Sequence, residues 1–561
     1  MAVEFCSLTE AVERHVRPGD ALNVVLGHSR WSALLREVVR QHWQQPSGFT
    51  LQMASLSSLG AVLFRAGCVR KVVTVYSGDS FPTFTPNPVF QQAYESGAVE
   101  VENWSFLTYI QRLRAAATGM PAAVTTSVRG SSMAAQDAYD EVDTAFGRVS
   151  LVEPLVPDVA ILHSAVADRL GNLAIAPPMF EGSVAAFAAR RGVLATVEKV
   201  VDDLRPWAGL VRVPAHRVLA VVECPYGAHP GGVYPGGLPV DGYDEDREYW
   251  IEVREASRRA DFDDWIKEWI LGPATQDEYL AKLGRTRLRA LSAAAGGRRP
   301  EQPAIDPAPA TTVGERAAVW AAGQLVDRIR DLGADTVLAG AGLANLAAWA
   351  GVARAHDQGM PVVLAAELGL WDYSPVDADP MIFSFHNFPT ARMLMDTEQI
   401  LGVLVNGPGS CAIACVGAAE LDRHGNINTT RIEGGPYLVG SGGGNDVITN
   451  ADETLVVTTM SPRRFVDRCS YVTSPGDRVR TVVTDAGVLT KRDGELVLTH
   501  VTPEYGDVAA GIEFARSRCG WELAVHPEVA LLPEVTGADA VPLRNYDRNG
   551  VFLGRAGGGA S

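Results

Sequence analysis

The chain has 561 residues, and at roughly 150 residues per domain this length predicts several domains or two large α/β domains. Apolar residues make up 47% and charged residues 20% of the chain, a composition that excludes a disordered protein. The formal net charge of −17 argues against non-specific nucleic-acid binding, which depends on basic surfaces. Seven scattered cysteines, an N-terminus without an apolar signal region and the lack of a long uncharged apolar run predict a cytoplasmic protein with neither disulfides nor a membrane span.

The N-terminal half opens with the pattern of a parallel α/β domain. A helix is predicted over Leu8–Val16 and a buried strand over Ala21–Leu26. The run Gly27-His28-Ser29 follows, and a second helix is predicted to begin at Trp31. Strand, glycine turn and helix in this order favour a βαβ arrangement.

The clearest break in the chain is the segment 291–312. Its four prolines, paired glycines and alanines, without an apolar period, predict an extended linker. Beyond it, a helix is predicted over Glu315–Leu332 and a strand over Thr336–Ala339. A glycine turn and a helix from Leu343 follow, so the C-terminal half repeats the opening of the first.

The two halves also share a five-residue signature. Residues 168–172 read Asp-Arg-Leu-Gly-Asn, and residues 422–426 read Asp-Arg-His-Gly-Asn. Two unrelated tight turns could look alike, and Asp168 and Asp422 have the residue type of turn formers. The matching flanks nevertheless favour an α/β protein with two related open domains fused head to tail. The predicted boundaries are 1–290, a linker at 291–312, 313–550, and a flexible tail at 551–561.

These features, together with the glycine-rich run at 438–446, resemble the class I CoA-transferases of the glutaconate type. Residues 225–230 and 387–394 support the resemblance, in which about 5–272 resemble the α subunit, while 315–545 resemble the β subunit. It implies acyl-CoA and a carboxylic acid acceptor as substrates, and a homodimer or homotetramer. Coenzyme A would enter as the acyl-CoA substrate, and the sequence has no ligand cluster that indicates a metal or a redox cofactor.

The resemblance assigns the nucleophile to Glu367. The sequence supports this role independently, because the apolar run Pro361–Ala366 predicts a strand that ends just before the carboxylate. Gly369 would then allow a sharp turn. The alternative is an ordinary solvated glutamate at a strand end.

The resemblance also implies an oxyanion and CoA-binding loop and a substrate pocket. Glycines allow backbone N–H groups to approach a developing oxyanion, although several glycines could equally serve a loop with positive φ angles. The predicted loop residues are Gly27, Gly440, Gly442, Gly443 and Gly444. The predicted pocket residues are His28, Glu102, Trp104, Phe106, Trp371, Tyr373 and His386.

Transfer and hydrolysis are distinguished by which carboxylate works. In hydrolases that resemble this family, the working glutamate lies on the α-like part, at a position that aligns with Phe106 here. Glu102 lies four residues away, and Glu367 is retained. Both differences favour a CoA-transferase that works through glutamyl-anhydride and glutamyl-CoA intermediates. A ring-opening acyl-CoA hydrolase and a catalytically idle CoA-binding scaffold remain the alternatives.

Overall fold

A computed structural model of the protein describes residues 3–25, 32–295 and 303–555. The chain forms two compact units. Unit 1 contains residues 1–125, 137–299 and 436–442, and unit 2 contains residues 126–136, 300–435 and 443–561. Each unit is built on a largely parallel sheet with helices, which confirms the predicted fold class.

The strands of unit 1 form one large sheet and two small ones. Their bounds are β1 Glu4–Phe5, β2 Ala21–Val24, β3 Phe49–Met53, β4 Ser55–Leu56, β5 Val69–Thr74, β6 Tyr76–Ser77, β7 Glu100–Asn103, β8 Ala123–Thr125, β9 Tyr139–Thr144, β10 Gly147–Val152, β11 Val159–Asp168, β12 Leu173–Ala174, β13 Gly192–Val201, β14 Val211–Val213 and β15 Val218–Glu223. The main path of the large sheet runs β1-β15-β13-β11-β2-β3-β5-β7, and every pair along it is parallel.

The helices of unit 1 begin where local capping favours them. In the first helix, Ser7 and Glu10 form a reciprocal capping box, which satisfies backbone N–H groups at the start. The helices are α1 Leu8–His15, α2 Ala33–His42, α3 Gly60–Arg65, α4 Pro88–Glu95, α5 Phe106–Thr118, α6 Val184–Ala188, α7 Arg247–Ser257, α8 Phe262–Ile266, α9 Gln276–Leu283 and α10 Arg285–Ala295. A π-helical stretch, Lys267–Leu271, continues α8.

Unit 2 repeats the parallel arrangement and adds antiparallel strands. Its strands are β16 Thr336–Ala339, β17 Val363–Ala366, β18 Leu370–Trp371, β19 Met393–Leu394, β20 Ala412–Val416, β21 Glu420–Asp422, β22 Ile427–Asn428, β23 Glu453–Val457, β24 Phe465–Val466, β25 Val479–Val483, β26 Gly487–Arg492, β27 Glu495–Val501 and β28 Val525–Leu531. The main sheet has the order β19-β18-β17-β16-β20-β23-β25-β26-β27-β28, and β17, β16, β20, β23 and β25 are mutually parallel.

The helices of unit 2 are led by the long helix that the sequence predicts. It is capped by Thr312 and Glu315 in a capping box and ends at Gly333, whose φ of 67° is suited to glycine. The helices are α11 Val313–Leu332, α12 Leu343–Asp357, α13 Gly444–Asn450, α14 Val508–Ser517 and α15 Gly537–Tyr546. A π-helical stretch covers Gln399–Val405.

The described ends of the predicted linker and tail are more ordered than expected. Helix α10 runs to Ala295, five residues into the predicted linker. Asp306 and Pro309 accept hydrogen bonds from Arg544 through their backbone carbonyls. Near the C-terminus, Leu553 is buried and donates its N–H to Asp547. Residues 303–312 and 551–555 are therefore packed parts of unit 2.

Each sheet has a point at which the chain reverses the direction in which strands are added. In unit 1, β2 lies between β3 on one side and β11 on the other. In unit 2, β16 lies between β17 and β20. Such a switch point leaves a crevice outside the carboxyl ends of the strands, where open α/β sheets bind ligands.

The duplicated five-residue signature forms the same turn in both units. Asp168 accepts hydrogen bonds from the N–H groups of Leu170 and Asn172 and from the Asn172 side chain, at 2.8–3.0 Å. Asp422 accepts the equivalent three bonds from His424 and Asn426, each at 3.0 Å. The interpretation of both aspartates as turn formers therefore agrees with the structure, and the matched bonds support a common origin of the two halves.

The turn at Asp422 should be important for stability. Its fully buried carboxylate also accepts the N–H of Cys469, so Asp422→Ala leaves several buried donors without a partner. We expect the free energy of unfolding to fall by at least about 2 kcal/mol. Asp467→Ala, which removes an exposed ion pair with Arg423, should change it by less than about 0.5 kcal/mol. Equal urea midpoints for the two variants would contradict this account.

Candidate active site

Glu367 lies at the tip of a β-hairpin at the carboxyl end of a parallel strand. Strands β17 and β18 pair through Ala366 and Leu370, so residues 367–369 form a three-residue loop. Gly369 has a φ of 114° and donates its N–H to the carbonyl of Ala366 at 3.2 Å. Glycine is favoured at this position because other residues rarely adopt such a φ. The half-buried carboxylate thus follows a strand next to the switch strand β16, as predicted.

The carboxylate of Glu367 lies directly against the backbone of Gly443. A Cβ atom at Gly443 would overlap Oε2 of Glu367 and would lie only 2.6 Å from its Cδ. The φ of Gly443 is −85°, which any residue can adopt. Glycine is therefore needed at this position for close approach, and not for backbone conformation.

The predicted glycine loop is divided between two environments. Residues 436–442 belong to unit 1, where Gly442 donates its N–H to Val75 at 2.8 Å. Gly440, with a φ of 104°, lies against the carbonyl of Val75 and the amide of Asn103. Because the Gly442 N–H is already donated to Val75, the expectation that it stabilises an oxyanion does not hold. Gly443 and Gly444 belong to unit 2, and Gly444 has open space around its Cα.

Glu102 is held in an ion-pair cluster inside unit 1. Its carboxylate contacts Lys71 at 2.8 Å, Arg112 at 2.6 Å and the indole N–H of Trp104 at 2.7 Å. Burial alone would raise the pKa of Glu102, but the charge of Arg112 and the three hydrogen bonds lower it to about 2. Such a carboxylate is a weak base, and this disfavours the alternative role as the activator of a hydrolytic water.

The aromatic residues Trp104 and Phe106 do not form the wall of a pocket. The side chain of Trp104 is fully buried beneath the guanidinium of Arg112, which lies 4.6 Å from the ring centroid. Phe106 is buried at the first residue of α5. The prediction of substrate contacts for these two residues is therefore wrong, because both side chains pack inside unit 1.

The predicted pocket residues of unit 2 have different environments. Tyr373 is buried, and its hydroxyl accepts a hydrogen bond from the indole N–H of Trp349 at 2.8 Å, so it packs in the core. Trp371 is half-buried on β18, where it pairs with Ala365. His386 is half-buried, with Nδ1 3.1 Å from the carboxylate of Asp379. Trp371 and His386 stay candidates for substrate contact.

Two further parts of the prediction concern residues and groups that need separate mention. Gly27 and His28 lie outside the described residues. Among the residues that the structure describes, no group of three or more His, Cys, Asp or Glu side chains is placed to hold a metal ion. In the same residues, no helix has the length and apolar character needed to cross a membrane.

The sequence analysis missed Asn445, which lies two residues after Gly443. Its side chain is fully buried and joins two backbone segments, Val128 and Thr473. An asparagine after a glycine run gives a weak sequence signal, since it equally suits a solvated turn. Only its tertiary contacts separate it from such a residue.

The fold and this hairpin carboxylate define an open α/β protein of the type found in acyl-CoA transferases. The family described as Coenzyme A transferase matches residues 5–224. A crystal structure of acyl-CoA transferase from E. coli O157:H7, a thioester complex with CoA, has a TM-score of 0.65 over 95% of both chains. Its identity to this chain is 17%, so that likeness concerns the fold.

Sequence relatives include two different subunits of one enzyme, the 3-oxoadipate CoA-transferase of Pseudomonas knackmussii. One of them is 29% identical over 288 residues, which cover 50% of this chain and 98% of the relative. The other is 32% identical over 118 residues, which cover 19% of this chain and 44% of the relative. The chain therefore belongs to the class I CoA-transferase family, with regions similar to both types of subunit joined in one chain.

The contact between Glu367 and Gly443 predicts opposite effects for two adjacent glycines. Gly443→Ala places a methyl group where the carboxylate lies, and we expect CoA transfer to slow roughly 100-fold because the carboxylate is displaced. Gly444→Ala adds a methyl group in open space and should leave the rate nearly unchanged. Steady-state kinetics on both folded variants test this, and equal rates would show that the contact does not matter.

The ion pairs of Glu102 predict a pH-dependent stability. Its pKa is lowered from an ordinary value of 4.5 to about 2, so the ionised carboxylate stabilises the folded state. This contribution is complete above pH 4.5 and is lost as the pH falls through about 2. The difference in unfolding free energy between the natural protein and Glu102→Gln should therefore be constant near neutral pH and shrink in acid. Urea unfolding at several pH values measures it, and a difference that grows in acid would contradict the assignment.

Proposed function

We propose that the protein is an acyl-CoA:carboxylate CoA-transferase in which Glu367 is the covalent nucleophile. The observation that carries the proposal is the packing of the Glu367 carboxylate on Gly443, at the carboxyl end of β17. The close approach leaves no room for a side chain at Gly443. A carboxylate held at a hairpin tip beside the switch strand is suitably placed to attack a bound thioester.

The reaction conserves charge and needs no external base. An oxygen of Glu367 attacks the carbonyl carbon of the acyl-CoA, the C–S bond breaks, and CoA leaves as the thiolate. The product on the protein is a mixed anhydride of the acyl group and Glu367. The thiolate then attacks the Glu367 carbonyl carbon, the anhydride C–O bond breaks, and the donor acid leaves as its carboxylate, so that Glu367 carries CoA as a thioester.

The second half of the reaction reverses these steps with another acid. The acceptor carboxylate attacks the glutamyl-CoA thioester and releases the thiolate, which gives a new anhydride. The thiolate attacks the acyl carbon of the acceptor, and Glu367 is restored as a carboxylate. Each step exchanges one activated acyl bond for another, so no proton is consumed.

Two features support transfer over hydrolysis. Glu102, the carboxylate that could serve a hydrolase, is ion-paired with a pKa of about 2. The relatives named above belong to a CoA-transferase, and the glutaconate CoA-transferase of Acidaminococcus fermentans supplies a further one, 29% identical over 92% of its length. We propose that the donor is an acyl-CoA whose acyl group carries a second carboxylate, as the names of these relatives suggest.

Covalent trapping tests the proposed nucleophile. The protein is incubated with 3-oxoadipyl-CoA, glutaconyl-CoA or acetyl-CoA, quenched with hydroxylamine or borohydride, and mapped by mass spectrometry. We expect modification of Glu367 with a dicarboxylic thioester, and loss of transfer by about 10⁴-fold or more in Glu367→Gln. Glu102→Gln serves as the control and should still give the adduct on Glu367. Release of free CoA without an adduct, in the absence of an acceptor, would instead support a hydrolase.

A further inference from the structure

Asn445 joins the start of helix α13 to two separate backbone segments. Its side chain is fully buried, with Oδ1 accepting the N–H of Val128 at 2.8 Å and Nδ2 donating to the carbonyl of Thr473 at 2.9 Å. All three residues belong to unit 2. Both polar ends of the amide are thus occupied by backbone groups, so the side chain has one stable orientation.

The backbone at Val128 is held in an unfavourable conformation. Its φ is 58°, in the left-handed region, and Val128 is β-branched and fully buried. The segment around it is fixed by two hydrogen bonds between Ser132 and Val472, at 2.8 and 2.9 Å. A strained residue persists when its surroundings determine its conformation, and here the strained backbone directs an N–H at Asn445.

A short path connects Asn445 to the contact with Glu367. Asn445 and Gly443 are separated by one residue, and the N–H of Val447 donates to the carbonyl of Gly443 at 3.0 Å, which closes the first turn of α13. A displacement of Asn445 therefore moves the Gly443 backbone. Because the carboxylate of Glu367 lies directly on that backbone, such a movement changes the position of the nucleophile.

We propose that Asn445 is a positioning residue that holds Gly443 against Glu367, with the strained N–H of Val128 as its anchor. The inference rests on the proposed role of Glu367 as the nucleophile. It predicts that loss of the Asn445 amide slows the chemical step while substrate binding stays nearly unchanged, because Asn445 makes its hydrogen bonds to the protein backbone.

The chain offers a matched control on the same helix. Asn450, at the other end of α13, also bonds to the segment 126–136, accepting from Thr126 at 2.9 Å and donating to Ser127 at 3.4 Å. We expect Asn445→Ala to lower kcat by at least about 10-fold with KM changed by less than about 3-fold. Asn450→Ala should keep both within about 2-fold. Thermal unfolding of each variant shows the folded fraction to which kcat is referred. Equal kcat values for the two folded variants would overturn the proposal.

Asn445→Asp supplies a second readout if the alanine variant does not fold. A protonated aspartic acid can accept from Val128 and donate to Thr473, as asparagine does, whereas the ionised form cannot donate. We expect the kcat of Asn445→Asp, relative to the natural protein, to rise as the pH falls. A ratio that does not depend on pH would overturn the positioning role, since a residue needed only for folding would not change kcat per folded molecule.

The trapping experiment separates a failure of this inference from a failure of the proposed function. If the natural protein gives no adduct on Glu367, the proposed function is wrong, whatever the variants do. If the natural protein gives the adduct and Asn445→Ala forms it at the same rate, only the positioning role is wrong. We expect the adduct to form on the same residue in Asn445→Ala, but more slowly.

Discussion

The contact between the Glu367 carboxylate and the Gly443 backbone is the constraint on which the candidate site depends. It requires a hairpin that ends a parallel strand with a carboxylate, and a residue without a side chain at the facing position. The second requirement is purely steric, since Gly443 has an ordinary φ. A site of this kind tolerates little movement, because the position of a nucleophile relative to its substrate strongly affects the rate. The buried amide of Asn445 fits this requirement.

Much of the fold could be predicted because its signals are local. Helix α11 begins at the capping residue Thr312 and ends at Gly333, and strand β16 has the predicted bounds. The turns at Asp168 and Asp422 could be recognised because an aspartate that accepts its own downstream N–H groups is a property of five consecutive residues. The position of Glu367 followed from the same kind of information, since a strand end is local.

The rest of the site could not be predicted because it depends on residues distant in sequence. The run of glycines at 440–444 looks like one loop, yet Gly442 bonds to Val75 in unit 1 while Gly443 lies against Glu367 in unit 2. Composition does not show which glycine serves a positive φ and which a close approach. Trp104 was misplaced for a related reason: an aromatic residue near a predicted site can line it or be buried, and the partner that decides this is Arg112.

The structural units also do not coincide with the two halves of the sequence. Residues 126–136 lie within the region that matches the coenzyme A transferase family, residues 5–224, but they belong to unit 2 together with Glu367. If the chain were cut at the linker, the C-terminal piece would lose the Val128 N–H that Asn445 accepts, and a buried polar atom would have no partner. Leaving such an atom unpaired costs about 1–3 kcal/mol, and the strain at Val128 would no longer be compensated by this bond. The two sequence halves therefore depend on each other for a bond next to the candidate site.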